Sequence, residues 1–175
     1  VEQEKVFPKK NNGREVGIDL GLKSLATLSD GAIIRNPRHL SEHEERLAFL
    51  QRRLSRSKKR SRNRLRARLR VARIHEKVSN IRRDFLHKAS TQLVNDYSLI
   101  ALERLASQEM AEHRFGKSIN DAGWTTFANM LAYKAEEAGC QVVFVNSKDT
   151  TSECSSCGYF TKKELSERRH NCPSC

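Results

Sequence analysis

Two pairs of cysteines at the end of the sequence constrain its fold more than any other feature. Cys154 and Cys157 form one C-x-x-C pair, Cys172 and Cys175 form another, and fourteen residues separate the pairs. Each pair can hold one side of a tetrahedral ion, and the spacing is typical of a structural zinc ribbon. Local disulfides or free thiols are the alternative, and the complete cysteine set leaves no position for His170. We expect Zn²⁺ to have a folding role here.

Cysteine usage and the absence of a targeting pattern indicate a cellular location. Five cysteines, four of them at metal-binding spacing, suit a reducing compartment better than an oxidising one. No stretch is long and apolar enough to span a membrane, and the first residues lack a signal-peptide pattern. We therefore expect a cytoplasmic protein that does not associate with membranes.

Positive charge is concentrated in one internal segment. Between Arg46 and His75 there are 13 Lys or Arg and no acid, whereas the rest of the chain has 20 basic and 21 acidic residues. Because basic side chains on phosphates release condensed counterions, we expect a nucleic-acid partner. A solvated or disordered charge run is the alternative, but helical apolar spacing flanks this segment. The predicted contact residues are Arg52, Arg53, Arg56, Lys58, Lys59, Arg60, Arg62, Arg64, Arg66, Arg68 and Arg70.

Apolar runs on both sides of the basic segment predict β-strands. Ser29-Asp30-Gly31 is a hairpin signal between the second and third run. The order is an antiparallel meander followed by crossover units, which is an α/β arrangement that fits an RNase H-like sheet among others. The predicted strands are Glu15–Leu20, Ser24–Leu28, 32–34, 98–105 and 141–146.

Apolar residues at helical spacing predict the elements between these strands. Ser41 is the expected N-cap of a first helix. We predict two helices joined by a basic hinge over 55–64, forming a hairpin; one long helix is the alternative. Asn120 or Asp121 is expected to cap a later helix over about 122–138. Three aromatic residues at helical spacing are predicted to lie in the core: Trp124, Phe127 and Tyr133.

Two acids interrupt the predicted strands. Asp19 lies in the first strand and Glu103 at the end of the fourth, and these strands are commonly neighbours in such a sheet. A carboxylate in an apolar strand is costly to desolvate unless it is paired, hydrogen-bonded or bound to metal. Mg²⁺ prefers carboxylate oxygens, and two such ions can clamp a phosphodiester. The alternative is that Asp19 simply faces solvent and that Glu103 lies in a loop.

Five motifs follow one another along the chain: GIDLGLKSLATLSDG, RLAFLQRRLSRSKKRSRNR, IHEKVSNIRRDFLHKAST, NDAGW and TSECSSCGY…CPSC. In this order they resemble the transposon-encoded RNA-guided nucleases of the TnpB (OrfB) type, which are relatives of type V CRISPR effectors. The resemblance extends from Arg14 to Cys175. It implies a linker (1–13), a RuvC domain of RNase H-like fold with a mixed sheet (14–147), a basic helical hairpin inserted in it (41–97) and a C-terminal zinc ribbon (148–175).

The resemblance also implies functional residues and partners. Asp19 and Glu103 match the first two catalytic acids, which hold Mg²⁺, and the four paired cysteines match the Zn²⁺ ligands. Guide RNA and target DNA are the implied partners. Members commonly have an acid directly after the second catalytic acid, where this chain has Arg104.

The resemblance places further parts of the family outside these 175 residues. The third catalytic acid and the last RuvC helix follow the final ribbon cysteine, and the guide-recognition region precedes residue 1. We therefore expect the RuvC-type nuclease portion of an RNA-guided, transposon-associated DNA endonuclease, with little cleavage by this chain alone. The alternative is a non-catalytic nucleic-acid-binding protein, either a nuclease-dead repressor or a decayed fragment.

Overall fold

A computed structural model describes residues 13–104, 116–146, 152–154, 156–161 and 171–175. Its strands are β1 (Glu15–Leu20), β2 (Ser24–Leu28), β3 (Ile33–Arg35), β4 (Leu99–Arg104) and β5 (Gln141–Asn146). Its helices are α1 (His39–Ser55), α2 (Arg62–Asp96), α3 (Gly116–Ala122) and α4 (Trp124–Ala138). The predicted linker, up to residue 12, and His170 lie outside the described residues.

The strands form one mixed sheet in the order β3-β2-β1-β4-β5. The first three strands are an antiparallel meander, and β4 and β5 join β1 in parallel. The side chains of β1 alternate between the two faces, so that Val16, Ile18 and Leu20 are buried whereas Asp19 is exposed. The predicted strands are confirmed to within one residue at each end.

Helices α2 and α4 cover the apolar face of this sheet. Leu86 and Leu93 of α2 and Phe127 and Leu131 of α4 are buried in one cluster with sheet residues such as Ile100. Full burial of a side chain of this size contributes about 1.5–3 kcal/mol relative to exposure. This cluster therefore attaches the two helices to the sheet, whereas Asp19 lies exposed on the opposite face of β1.

The aromatic residues of α4 divide between the core and the surface. Trp124 and Phe127 are buried as predicted, but Tyr133 is 45% exposed, so the prediction that it lies in the core is wrong. Tyr133 lies six positions after Phe127, which rotates its side chain about 240° around the helix axis. Tyr133 therefore lies on a different side of α4 from Phe127.

Helix α1 and the first part of α2 form a hairpin, which we call the basic arm (residues 39–78). Leu47 of α1 packs against Ile74 and Val78 of α2, and residues 56–61 form the hinge. The prediction of two helices is confirmed, and the alternative of one long helix is wrong. Even α2, with 35 residues, is too polar to cross a membrane, and no other described helix has the required length and apolar composition.

Helix α1 begins two residues before the predicted N-cap. Arg38, with a φ of 51°, precedes the helix, and Ser41 lies within its first turn. The cap comes from a distant helix, because both carboxylate oxygens of Asp121 accept a hydrogen bond from the Leu40 amide, at 3.1 and 3.2 Å. A tertiary contact thus satisfies an amide that has no intrahelical partner. Local sequence signals carry no information on such a contact.

The predicted helix over 122–138 is preceded by a second helix, α3, and Gly123 separates the two with a φ of 68°. Asp121 therefore lies inside α3, and the prediction that Asn120 or Asp121 caps α4 is wrong. The end of α4 is at Gly139, whose φ of 70° is typical of a glycine that terminates a helix.

We expect the Gly123→Ala substitution to lower the free energy of unfolding by about 2 kcal/mol. A left-handed backbone costs a residue with a Cβ about 1–2 kcal/mol, and this Cβ would lie 3.1 Å from Cδ1 of Leu86. Gly31 is the control, because its φ is 91° but nothing lies within 4 Å of an added Cβ. Chemical denaturation should show a smaller loss for Gly31→Ala. Equal losses would show that Leu86 does not confine this junction.

Candidate metal centres and nucleic-acid interface

Asp19 and Glu103 lie on neighbouring parallel strands. The register pairs Ile18 with Leu102, and each acid is the next residue along its strand, so the two acids share one face of the sheet. Adjacent strands are about 4.8 Å apart. Two side chains placed side by side in this way can reach one cation.

The two acids belong to a row of side chains across the sheet. Thr27 of β2 is opposite Asp19, and Val145 of β5 is opposite Glu103. Glu103 is half-buried, whereas the other three residues are exposed. Because Asp19 is exposed, the expectation that its carboxylate is buried in an apolar strand is wrong. Within the described part of the chain Asp19 has no ion-pair partner.

The turn that follows Asp19 is fixed by side chains from two other segments. The indole Nε1 of Trp124 donates a hydrogen bond to the carbonyl oxygen of Gly21 at 3.3 Å. The side-chain amide nitrogen Nδ2 of Asn36 donates a hydrogen bond to the carbonyl oxygen of Leu22 at 3.1 Å. The end of β1 is thus tied both to α4 and to the chain that enters the basic arm.

The sulfur atoms of the four paired cysteines all lie within 4.8 Å of one another. The Sγ atoms of Cys154 and Cys175 are 3.7 Å apart, and those of Cys157 and Cys172 are 3.5 Å apart. Sulfur ligands placed tetrahedrally at about 2.3 Å from a zinc ion are about 3.8 Å apart, whereas the sulfurs of a disulfide are about 2.05 Å apart. None of the four sulfurs is bonded to another, so the disulfide alternative is wrong. The cluster can hold a metal ion.

Electrostatics within this cluster favour a bound cation. The amides of Ser156 and Cys157 donate hydrogen bonds to the Cys154 sulfur and lower the pKa of that thiol to about 6. The neighbouring sulfurs of Cys157, Cys172 and Cys154 raise the pKa of Cys175 to about 12. One thiol therefore ionises readily, but a fully ionised cluster needs a positive charge at its centre. This is the chemistry of a thiolate metal site.

A tight turn presents the first cysteine pair. The Cys154 amide donates to the carbonyl oxygen of Tyr159 at 2.9 Å, and the Gly158 amide donates to that of Cys154 at 2.8 Å. Gly158 has a φ of 71°, a conformation that glycine adopts without strain. The turn therefore depends on glycine at this position.

Ten of the eleven side chains predicted to bind nucleic acid are exposed on the basic arm. Arg64 is the exception, because it is half-buried and its Nη1 donates to the carbonyl oxygens of Leu54 at 3.0 Å and Ser57 at 3.3 Å. It therefore braces the end of α1 against the hinge. Sequence spacing alone does not distinguish this arginine from its exposed neighbours.

A cavity of about 320 Å³ lies at the hinge of the basic arm. The Oγ of Ser61 accepts a hydrogen bond from the Arg64 amide and caps α2. The positive end of a long helix therefore adds to the charge of the arginines, and no acid occurs in this part of the sequence. These surroundings suit a phosphate group. The lining residues are Arg60, Ser61, Arg62, Arg64, Leu65 and Arg68.

Two family models match separate parts of the chain. The model described as OrfB_IS605, probable transposase, matches residues 1–114. The model described as Cas12f1-like, TNB domain, matches residues 124–175. The first match contains both acids and the basic arm, and the second contains the cysteine cluster.

Curated relatives and a solved structure agree with these matches. "Putative RNA-guided DNA endonuclease InsQ" of Escherichia coli (strain K12) is 33% identical over 98% of this chain and 47% of its own length. "Putative RNA-guided DNA endonuclease" of Streptomyces pristinaespiralis is 37% identical over 97% and 43%. The chain thus spans less than half of these relatives. A chain of the "Cryo-EM structure of the Cas12f1-sgRNA-target DNA complex" shares its fold, with a TM-score of 0.55 and 16% identity, over 83% of this chain and 38% of that one.

We expect one Co²⁺ ion per chain to bind at the cysteine cluster and to show the visible absorption of a tetrahedral thiolate site. The Cys157→Ser substitution should weaken binding by more than about tenfold, because even the loss of an outer-shell partner costs that much. Cys140 is buried in the sheet core, outside the cluster, so Cys140→Ser is the control and should bind normally. Unchanged binding by Cys157→Ser would contradict the assignment.

Proposed function

The chain belongs to the OrfB_IS605 family of probable transposases, and on this premise we propose that it forms the RuvC-type nuclease portion of an RNA-guided, transposon-associated DNA endonuclease. The β1–β4 register, which brings Asp19 beside Glu103, is the observation that carries the proposal. An antiparallel meander followed by two parallel strands supports an RNase H-like sheet. The names of the curated relatives support guide RNA and target DNA as partners.

Asp19 and Glu103 are the catalytic residues in this proposal. Their carboxylate oxygens are hard ligands of the kind that Mg²⁺ prefers, and a site with two carboxylates leaves coordination positions for water and phosphate. When bound, Mg²⁺ supplies charge compensation for the phosphodiester and activates water. Because Asp19 is exposed, a nucleic-acid strand can reach the site. Glu103 is half-buried, and this burial limits the orientations that its side chain can adopt.

The cysteine cluster binds Zn²⁺ in a structural role. Four sulfur ligands complete a tetrahedral site, so no position remains for substrate or water. Bound Zn²⁺ joins Cys154 and Cys157 to Cys172 and Cys175, which are distant in sequence. Its contribution is therefore to the folding of this part of the chain.

The basic arm contacts the phosphate backbone of the nucleic acid. Its exposed basic side chains are not neutralised by acids within the segment from Arg46 to His75. Contacts of this kind are independent of base sequence and sensitive to salt. These contacts hold a nucleic-acid strand on the protein, whereas base pairing with the guide RNA selects the target sequence.

Binding without catalysis is the second candidate function. The exposed charge of the arm and the acid pair lie on different elements, so the arm can bind nucleic acid without cleavage. A binding protein of this kind retains its affinity when Asp19 is replaced, and it does not cleave under any metal condition.

We expect residues 1–175, with zinc bound, to bind Mn²⁺ at the acid pair. The Asp19→Asn substitution removes one of two charged ligands and should weaken Mn²⁺ binding by more than about tenfold. Thr27→Ala alters the exposed neighbour opposite Asp19 without changing charge, and it should bind Mn²⁺ normally. Calorimetric titration compares the three proteins. Equal affinity for wild type and Asp19→Asn would contradict the proposed site.

Cleavage by residues 1–175 alone should be slow, because a site with two acids holds the metal weakly. Labelled single-stranded and duplex DNA with Mg²⁺ provide the assay. Rapid cleavage that Asp19→Asn abolishes would show that a third ligand lies within these residues. Rapid cleavage that is unchanged in Asp19→Asn would show that cleavage does not depend on Asp19.

Replacing Arg60, Arg62 and Arg68 together by alanine should weaken binding to a labelled single-stranded RNA. The slope of log affinity against log salt should fall by about 0.7 for each lost phosphate contact. Arg35, exposed on β3, is the control for one positive charge outside the arm, and Arg35→Ala should retain the wild-type slope. An unchanged slope in the triple variant would show that the hinge cavity does not contact the nucleic acid.

A further inference from the structure

The NDAGW motif contacts three separate parts of the structure. We call residues 120–124 the junction segment, because it contains the end of α3 and the start of α4. Its side chains and carbonyl groups contact the start of α1, the middle of α2 and the turn after β1. None of these contacts forms part of the acid pair, the cysteine cluster or the hinge cavity.

The first contact of the junction segment holds the start of the basic arm. The Asp121 carboxylate is only 9% exposed and accepts the Leu40 amide with both oxygens. Helix α1 has no side-chain cap of its own. Asp121 therefore replaces a local cap and places negative charge at the positive end of α1.

The second contact joins the junction segment to α2. The Arg82 Nη1 donates to the carbonyl oxygen of Asn120 at 2.7 Å and lies 3.6 Å from Asp121. Lys117 of α3 also pairs with Glu44 of α1. The two helices of the arm thus meet at α3, at the end of the arm opposite the hinge.

The third contact reaches the strand that carries Asp19. Trp124 is 5% exposed, and its indole nitrogen donates to the carbonyl oxygen of Gly21, two residues after Asp19. Gly123, with a left-handed φ of 68°, separates α3 from α4. The junction segment therefore contacts both the start of the basic arm and the turn after β1.

We propose that the junction segment is a positioning device that fixes the basic arm relative to the acid pair, with Asp121 and Trp124 as its positioning residues. This inference rests on the proposed function of the arm and of the acids. Neither residue belongs to the cysteine cluster or lines the hinge cavity. Each acts on a backbone group, Asp121 on the α1 amide and Trp124 on the β1 turn.

The sign of the charge effect separates positioning from simple electrostatics. Removal of the Asp121 carboxylate makes the protein more positive, so charge alone predicts tighter binding to a polyanion. Loss of the α1 cap loosens the arm and predicts weaker binding. Because no phosphate contact is lost, positioning also predicts an unchanged slope of log affinity against log salt.

The experiment measures binding of a labelled single-stranded RNA to Asp121→Ala over a salt series. We expect about fivefold weaker binding, the effect of one lost hydrogen bond, with the wild-type slope. Asparagine caps helices nearly as well as aspartate, so Asp121→Asn should recover most of the affinity.

Asp84→Ala is the charge-matched control, because Asp84 is exposed and pairs with Lys88 on the same helix. This variant should bind as tightly as wild type or more tightly. Asp121→Ala behaving like Asp84→Ala would overturn the inference.

A second variant keeps the inference testable if Asp121→Ala does not fold. Trp124→Phe keeps a buried aromatic ring but removes the donor to Gly21, and it should weaken Mn²⁺ binding at the acid pair by about fivefold. Tyr133→Phe is the control, because it removes a hydroxyl group from the exposed side of α4. Wild-type Mn²⁺ affinity in Trp124→Phe would overturn the link to the acids.

The two proposals fail in different ways. If wild type binds RNA and Mn²⁺ normally and the junction variants are unaltered, only the positioning inference is wrong. If wild-type binding of Mn²⁺ does not depend on Asp19, the proposed nuclease site is wrong, and the positioning of that site is wrong with it.

Discussion

Parallel pairing of β1 with β4 is the contact on which the candidate nuclease site depends. The chain leaves β1 through an antiparallel meander, runs out along α1, and returns through the 35 residues of α2 before it enters β4. The pairing of Ile18 with Leu102 then places Asp19 beside Glu103. A shift of one residue in this register would send one of the two acids to the apolar face, where α2 and α4 pack. The buried side chains of that face therefore hold the acids on the opposite one.

Opposite charges are separated within this architecture. The acids lie on the face of the sheet opposite α2 and α4, whereas the basic side chains lie on a hairpin that is stabilised by its own small apolar cluster around Leu47, Ile74 and Val78. A nucleic-acid backbone can therefore be held by one element and exposed to the other. The cysteine cluster adds a third centre, in which sulfur chemistry favours a different metal from the one that carboxylates favour.

Local patterns in the sequence predict the elements of this fold better than their ends and contacts. Alternation in β1, the glycine turn at Gly31 and the spacing of the cysteines depend on neighbouring residues, and the structure confirms them. The start of α1 depends on Asp121, which is 81 residues away from Leu40. The bracing role of Arg64 depends on how the hinge folds back, and only the three-dimensional arrangement shows it. In the sequence, Asp19 stands out as an acid in an apolar strand, but the structure leaves it exposed; its position beside Glu103 is the stronger reason to single it out.

Anomalous diffraction from crystals grown with Mn²⁺ is the most direct measurement of whether Asp19 and Glu103 share a cation. With data collected at the manganese absorption edge, we expect an anomalous peak between the two carboxylates and its loss in crystals of Asp19→Asn. Manganese bound only at other positions, or no peak within coordination distance of either carboxylate, would contradict it.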